Sequence, residues 1–231
     1  MIGVFTAVVA FLVDVAEITV ADYKSGYCTT NVFRNRESCC MSKSPLPRVL
    51  EEVGEDCLEW YNWSNTYAGA FAIYVGFALL FGIIAGSVTM TTRANLPAVN
   101  SDEGEEAPVG KAMYMAAGSG IPEIKTILSG FVIPHFLDFK VLVVKAVGST
   151  FAVATGMCLG KEGPFVHIST CAGYLVASLF PKYRNNGRKM REMLSVACSS
   201  GLSVAFGAPI GGVLFSYEVT VSQKVQQSIS R

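Results

Sequence analysis

Charged residues are scarce in this chain of 231 residues. They make up 16% of it, whereas a soluble globular domain carries roughly 25%. Basic and acidic residues are equal in number, 18 of each, so the chain has no excess of positive charge with which to bind nucleic acid. Hydrophobic residues make up 51%. The composition excludes nucleic acid as a partner and indicates a protein embedded in a lipid bilayer.

Histidine is rarer still, since only His135 and His167 are present. Neither lies at a motif spacing from a nucleophile and an orienting acid. Cys158, Cys171 and Cys198 lie in apolar stretches without the paired spacing of a zinc site, and we interpret them as small packing residues. We therefore expect no enzymatic activity, no catalytic residues, no metal and no cofactor.

Two long apolar runs are the first positive features of the sequence. They occupy residues 1–20 and 66–92, and about 20 such residues cross a hydrocarbon core as a helix. Both runs predict transmembrane helices. A signal peptide is the alternative for the first run, although the positive charge that normally precedes its apolar core is missing.

A polar loop is predicted between these two runs. It contains Cys28, Cys39, Cys40, Cys57 and the glycosylation sequon Asn62-Trp63-Ser64. Four cysteines in one loop predict disulfides in an oxidising lumen. The alternative is that the cysteines are free and that the sequon is not modified.

Glycine and proline interrupt the apolar sequence in its second half. They cluster at residues 118–122, 160–164 and 207–209, each directly before an apolar run that can form a helix. Proline is tolerated in the first turn of a helix, so each cluster predicts a helix start. In lipid, irregular backbone survives only where protein buries it or where it lines an aqueous path. Short, broken helices therefore indicate a permeation site.

Helix starts at membrane depth are suited to anions. A helix start offers free N–H groups and about half a positive charge, so it binds an anion without a buried lysine. Partial charges also let the ion leave. The pattern predicts a pathway for a small anion. A secondary transporter for an organic anion is the alternative, because it uses the same helix ends.

These segments resemble the signature segments of the CLC family of chloride channels and proton-coupled chloride exchangers. They read GSGIPEIKTILSG at 118–130, GKEGP at 160–164 and AFGAPIGGVLF at 205–215, in the family's order. The loop that ends in Cys39-Cys40 is similar as well. The resemblance implies an all-α integral membrane fold, a CLC-type bundle of full and broken half-membrane helices, of which this chain holds the first inverted-repeat half.

The resemblance also implies which residues handle chloride. It makes the Ser119 hydroxyl a ligand of the central chloride and places backbone amides of 119–121 and 163–165 along the path. The residues expected to bind the anion are Gly118, Ser119, Gly120, Ile121, Pro122, Gly163, Pro164 and Phe165. Glu162 is expected to act as the gate, filling the anion site when ionised and swinging out when protonated. From the residues alone, capping roles for Ser119 and Glu162 stay open.

Two further ionisable residues fall in the apolar segments. His167 lies five residues after Glu162, on a different helical face, and we interpret it as a packed histidine rather than a proton relay. Lys145 is compatible with a pore charge, with pairing inside the bundle or with snorkelling.

The end of the chain departs from the family. Proton-coupled members have two adjacent glutamates after the third segment, but here Glu218 is followed by Val219, which cannot ionise. This argues against proton coupling through that position. We expect residues 219–231 to be a divergent tail and the chain to stop before the second inverted half. We therefore expect either chloride transport, as a voltage-gated channel or a proton antiporter, or a truncated, non-conducting membrane fragment that pairs with a full-length partner.

The predicted organisation follows from these features. It consists of a transmembrane helix at 1–20, a lumenal cysteine-containing loop at 21–65, a transmembrane helix at 66–92, an acidic cytosolic loop at 93–112, a broken-helix anion-pathway region at 113–218 and a divergent tail at 219–231. A basic loop, with Lys182, Arg184, Arg188, Lys189 and Arg191, is expected in the cytosol. The resemblance implies a multi-pass protein of the Golgi, endosome or vacuole, homodimeric at full length, with chloride, protons and the lipid bilayer as partners.

Overall fold

The computed structural model describes residues 2–40, 59–95 and 112–218, most of which are helical. Some sequence predictions lie outside these residues. They concern Cys57, most of the acidic loop at 93–112, Val219 and the tail at 219–231.

The elements follow one another as helices joined by short connections and two small sheets. In chain order they are α1 (Ile2–Asp22), β1 (Gly26–Cys28), α2 (Arg36–Cys40), β2 (Trp60–Asn62), α3 (Tyr67–Met90), β3 (Arg93–Asn95), β4 (Ala112–Tyr114), α4 (Ile121–Ser129), α5 (Phe139–Ala154), α6 (Glu162–Ser178), α7 (Pro181–Arg184) and α8 (Gly187–Phe206). A further helical stretch, α9, covers residues 209–218.

Helices α1 and α3 occupy the two apolar runs. They contain 21 and 24 residues and are long and apolar enough to cross a membrane. At about 1.5 Å per residue, both exceed a hydrocarbon core of about 30 Å. Their ends differ slightly from the expected bounds, because α1 continues to Asp22 and α3 lies within 67–90.

The chain forms two compact units. The first contains the described residues of Met1–Val13, Ala85–Ser149 and Gly160–Arg231, and the second those of Asp14–Ile84 and Thr150–Leu159.

The first unit is built around the packing of α6 against α8, with α4 against both. The middle of α6, from Phe165 to Gly173, is buried on every side, which is typical of a helix enclosed by other helices. Small residues allow the close approach: a Cβ on Gly173 would collide with Ala197, and one on Gly201 would collide with Ser169. Glycine at these positions therefore sets the distance between α6 and α8.

The second unit contains a disulfide between Cys28 and Cys39. Cys28 belongs to β1, which pairs antiparallel with β2 so that Cys28 lies opposite the buried Trp60. Cys40 is disulfide-bonded as well. The prediction of disulfides in this loop is confirmed, and Asn62 of the sequon is exposed in β2.

Candidate anion-binding site

A helix begins at each of the three Gly/Pro clusters. Helix α4 starts at Ile121 with Pro122 as its second residue, and α6 starts at Glu162 with Pro164 as its third. Helix α9 starts at Pro209 itself. Because proline lacks an N–H group, it costs nothing at positions where that group would have no helical partner.

The start of α4 leaves Ser119 without a capping role. The N-cap residue is Gly120, which adopts a left-handed conformation with φ 84° and provides no side-chain cap. Gly118 also has a positive φ, 65°, and glycine is the residue that tolerates such values. Ser119 lies exposed between the two glycines. The interpretation of Ser119 as an N-cap is therefore wrong.

The start of α6 carries the carboxylate of Glu162. The N-cap is Lys161 and not Glu162, which is the first helical residue and is half-buried. The carboxylate folds back over Gly160, because a Cβ on Gly160 would collide with Glu162 Oε2 and lie 3.3 Å from its Cδ. Only glycine at position 160 leaves room for this orientation of the carboxylate.

The structure brings the first two helix starts together through Ser119 and Gly163. A Cβ on Gly163 would collide with Ser119 Oγ and would lie 2.9 Å from Ser119 Cβ and 3.3 Å from its Cα. The serine hydroxyl therefore lies against the first turn of α6. The two positive helix ends meet on either side of an exposed hydroxyl, a geometry suited to an anion.

Not every predicted amide is free to bind an ion. The N–H of Phe165 donates to the carbonyl of Lys161 at 3.0 Å, so it serves the first turn of α6. The Phe165 side chain is buried with Ala10 and Val13. Pro164 has no N–H at all. Of the three residues 163–165, only Gly163 therefore has an N–H group that could bind an anion.

The polar side-chain contacts described for helix α9 lie near its C-terminal end. Ser216 of α9 is hydrogen-bonded to Ser195 of α8 at 2.8 Å, and Glu218 lies 3.6 Å from the Lys125 ammonium of α4. The C-terminal part of α9 therefore contacts α8 and α4.

Lys145 binds the backbone segment that precedes Ser119. Its side chain is 3% exposed, and the ammonium donates to the carbonyls of Ala116 at 3.0 Å, Ala117 at 3.3 Å and Gly118 at 2.6 Å. These three bonds use all three protons of the ammonium group. Sequence reasoning did not select Lys145 as a site residue and expected an anion site without a buried lysine. The feature of the sequence that could have identified Lys145 is its position as a lone lysine in an apolar run, with no acidic residue at helical spacing.

The start of this segment, at Met115 and Ala116, is held by Thr92, which lies beside the paired strands β3 and β4. Strands β3 and β4 pair antiparallel, with Arg93 opposite Tyr114. Beyond β4, the N–H groups of Met115 and Ala116 donate to the carbonyl and the hydroxyl of Thr92 at 3.2 and 3.1 Å. The backbone that leads to Ser119 is therefore held on both sides.

His167 is a packed histidine. It is fully buried, stacks on Phe136 with ring centroids 4.1 Å apart, and has Nε2 3.1 Å from the Phe136 carbonyl. Since a carbonyl only accepts, Nε2 carries the proton of this bond. The opposite edge of the ring contacts the α4 N-cap, because a Cβ on Gly120 would lie 2.8 Å from Nδ1. The position of Gly120 thus depends on His167.

The free cysteines have different surroundings. Cys171 and Cys198 are buried, as expected for packing residues, but Cys158 is exposed in the turn that follows α5, so that interpretation is wrong for Cys158. Within the described residues, no group of three or more His, Cys, Asp and Glu side chains is arranged to hold a metal ion.

Similarity to known proteins was found at the level of family, sequence and structure. A family model described as voltage gated chloride channel matches residues 109–231. The H(+)/Cl(-) exchange transporter 5 of Oryctolagus cuniculus is 43% identical over 228 residues, and that of Homo sapiens is 42% identical. The H(+)/Cl(-) exchange transporter 3 of Pongo abelii is 39% identical over 226 residues. Each alignment covers 94% of this chain and 25% of the relative. The chain thus spans about a quarter of the length of these relatives.

A solved structure supports the fold. The crystal structure of a eukaryotic CLC transporter matches 94% of this chain and 32% of its own, with a TM-score of 0.62 and 23% sequence identity. At this identity the likeness concerns the fold alone. The all-α membrane fold expected from the sequence is confirmed.

Proposed function

The chain belongs to the voltage gated chloride channel family, and on that premise we propose that it forms the first half of a pathway for chloride through a membrane. The observation that carries the proposal is the contact between Ser119 and Gly163, which joins the starts of α4 and α6. A chloride ion there accepts hydrogen bonds from the Ser119 hydroxyl and from unpaired N–H groups of the two first turns, Ile121 and Gly163.

Glu162 is proposed as the gate of this pathway. Its carboxylate stands at the same helix start as the Gly163 amide and carries the charge that this amide attracts. Ionised Glu162 therefore competes with chloride for the site. When protonated, Glu162 loses its negative charge, no longer competes for the site, and admits the ion. A proton taken up at each opening is one source of coupled proton movement, as in relatives named H(+)/Cl(-) exchange transporters.

The setting of the pathway is proposed from the resemblance of the signature segments. We place the protein in an intracellular membrane of the Golgi, endosome or vacuole, with the basic loop around α7 in the cytosol. The longer protein is proposed to be a homodimer.

The alternative is a non-conducting membrane fragment that pairs with a full-length partner. The favouring observation is the large apolar surface of α1 and α3. Phe11, Leu12, Phe71 and Ile83 are all exposed, and residues of this kind cover either lipid or other helices.

Chloride efflux from liposomes that contain the purified chain tests the proposal. Proton flux is recorded at the same time. Wild type is compared with Ser119→Ala and Glu162→Ala, and with the controls Ser129→Ala at the far end of α4 and Glu192→Ala on the surface of α8. We expect efflux that falls with Ser119→Ala and loses its pH dependence with Glu162→Ala, while both controls resemble wild type.

Two other outcomes separate the hypotheses. If efflux is absent from the chain alone but current changes when it is co-expressed with a full-length relative, the fragment hypothesis is supported. If efflux is present and equal in all five proteins, the anion pathway does not pass Ser119 and Glu162, and the proposal is wrong.

A further inference from the structure

A cavity of about 600 Å³ lies in the first unit, at the end of α6 and the beginning of α8. Its walls come from the segment 130–138 that follows α4, from Tyr174 and Ser178 of α6, and from the first two turns of α8. Neither Ser119 nor Glu162 lines it. The cavity is therefore separate from the proposed anion pathway.

Two arginines give this cavity a positive charge. Arg184 of α7 and Arg191 of α8 both line it, and within the described part of the chain neither guanidinium pairs with a carboxylate. Asp138 also lines the cavity, and its carboxylate is engaged with His135 Nδ1 at 2.9 Å. The two guanidinium groups are thus left to attract an anionic ligand.

The same cavity has an apolar side. Ile127, Leu137 and Leu194 form its inner wall and belong to the buried core around α4 and α6. At the rim, Phe131 and Val132 are 71% and 89% exposed. Two adjacent exposed apolar side chains beside unpaired arginines form an amphipathic surface, which a soluble anion does not require.

The position along the chain favours a ligand from the membrane. The cavity lies beside the basic loop 182–191, which the excess of lysine and arginine assigns to the cytosolic side. The cytosolic leaflet carries anionic lipids, and basic pockets between membrane helices on that side bind their headgroups. Arginine binds phosphate through two parallel hydrogen bonds, a geometry that lysine lacks.

We propose that this cavity binds the phosphate of an anionic phospholipid from the cytosolic leaflet. Arg184 and Arg191 hold the phosphate oxygens, and the first acyl methylenes lie against Phe131 and Val132. The proposal does not depend on chloride transport, because none of these residues belongs to the pathway around Ser119.

Binding of short-chain lipid to the purified, detergent-solubilised chain tests the proposal. The probe is dioctanoyl phosphatidic acid, measured by calorimetric titration against the double variant Arg184→Gln/Arg191→Gln. The matched control is Arg188→Gln/Lys189→Gln, which removes the same charge from the same basic loop at residues that do not line the cavity. Because the phosphate loses its charge-assisted hydrogen bonds to both guanidinium groups, we expect the affinity to fall about ten-fold or more in the double variant. In the control it should change less than about two-fold.

The apolar part of the proposal is tested with Val132→Asn, which removes the apolar side chain without adding charge. This variant should weaken binding of the dioctanoyl lipid but leave the weaker binding of glycerol 3-phosphate, the headgroup without chains, unchanged. All substituted side chains are at least partly exposed, and circular dichroism is used to test whether each variant keeps its helices.

Four results would overturn the proposal. Equal losses in the double variant and its control would show attraction to diffuse positive charge. Equal affinity for glycerol 3-phosphate and the lipid would identify a soluble phosphate as the ligand. Equal affinity for dioctanoyl phosphatidylcholine, which has no net charge, would show that binding does not require a negatively charged lipid. Concentration-dependent self-association that the double variant abolishes would identify a second copy of the chain as the occupant.

Discussion

Ser119 and Gly163 are in direct contact, with the serine hydroxyl lying where a side chain on residue 163 would have to be. This one contact joins two helix starts that are distant in the sequence. Because both helix ends are positive, their proximity concentrates the attraction for an anion at the exposed hydroxyl.

The first prediction concerns the space between these two residues. Gly163→Ala should displace Ser119, because the new methyl group would collide with its hydroxyl. Overpacking costs about 1–3 kcal/mol, and a cost of this size at the anion site corresponds to a loss of chloride affinity of about 5- to 150-fold. Chloride titration of the purified chain measures the effect. Gly86→Ala is the control, since no atom lies within 4 Å of a Cβ there. An unchanged chloride affinity in Gly163→Ala would show that Ser119 does not belong to the anion site.

The second prediction concerns Lys145. Lys145→Met removes the ammonium from the carbonyls of Ala116, Ala117 and Gly118. The buried carbonyl of Ala116, left without a partner, costs about 1–3 kcal/mol, and the two partly buried carbonyls cost less. The thermal unfolding midpoint in detergent should fall, and chloride affinity should fall with it because Ser119 follows directly. Lys140→Met, which loses one hydrogen bond at an exposed site, should have a much smaller effect. A lower midpoint with unchanged affinity would limit Lys145 to a structural role.

The third prediction concerns Gly120 and His167. Gly120→Ala should destabilise the first unit for two reasons: alanine disfavours a φ of 84°, and the new methyl group would meet the imidazole ring. His167→Ala removes the second cause but not the first. The two substitutions should therefore be coupled by about 1 kcal/mol in a double-mutant cycle of unfolding free energies. Additive effects would show that the ring does not position the N-cap.

The fourth prediction concerns the disulfide of the second unit. Cys28 and Cys39 are 11 residues apart, and closing such a loop contributes about 3 kcal/mol in the chain-entropy account. Cys28→Ser should make the segment around β1 and β2 more sensitive to limited proteolysis. Dithiothreitol, which also reduces the disulfide of Cys40, should have at least as large an effect on wild type. Cys158→Ser, at an exposed free cysteine, should leave the cleavage pattern as it is. Equal cleavage of Cys28→Ser and wild type would show that the disulfide contributes little.

Local chemistry explains which parts of the fold the sequence could predict. Proline and glycine restrict the backbone wherever they stand, so the clusters at 118–122, 160–164 and 207–209 marked the three helix starts to within a residue or two. The apolar runs gave α1 and α3 for a similar reason, since the thickness of the bilayer sets the length of a spanning helix.

Tertiary contacts explain what the sequence could not predict. Every residue carries a carbonyl group, so nothing in the sequence indicated that Lys145 would bind those of residues 116–118. The amide of Phe165 was expected at the anion path, but the helix itself uses that amide in its first turn. The contact of His167 with Gly120 depends on how α4 and α6 meet, which no spacing along one helix reveals.

The hydrogen bonds of Lys145 to the carbonyls of residues 116–118 bear on how long an ion would remain at the proposed site. An ammonium whose protons are all directed at backbone oxygens still produces an electric field, and that field extends for several ångströms. In the proposed pathway, an approaching anion is therefore attracted towards the segment that precedes Ser119 but forms no hydrogen bond with the lysine. Lys145 then acts on the ion only through its field, which weakens with distance, so it lengthens the dwell time of the ion less than a direct contact would.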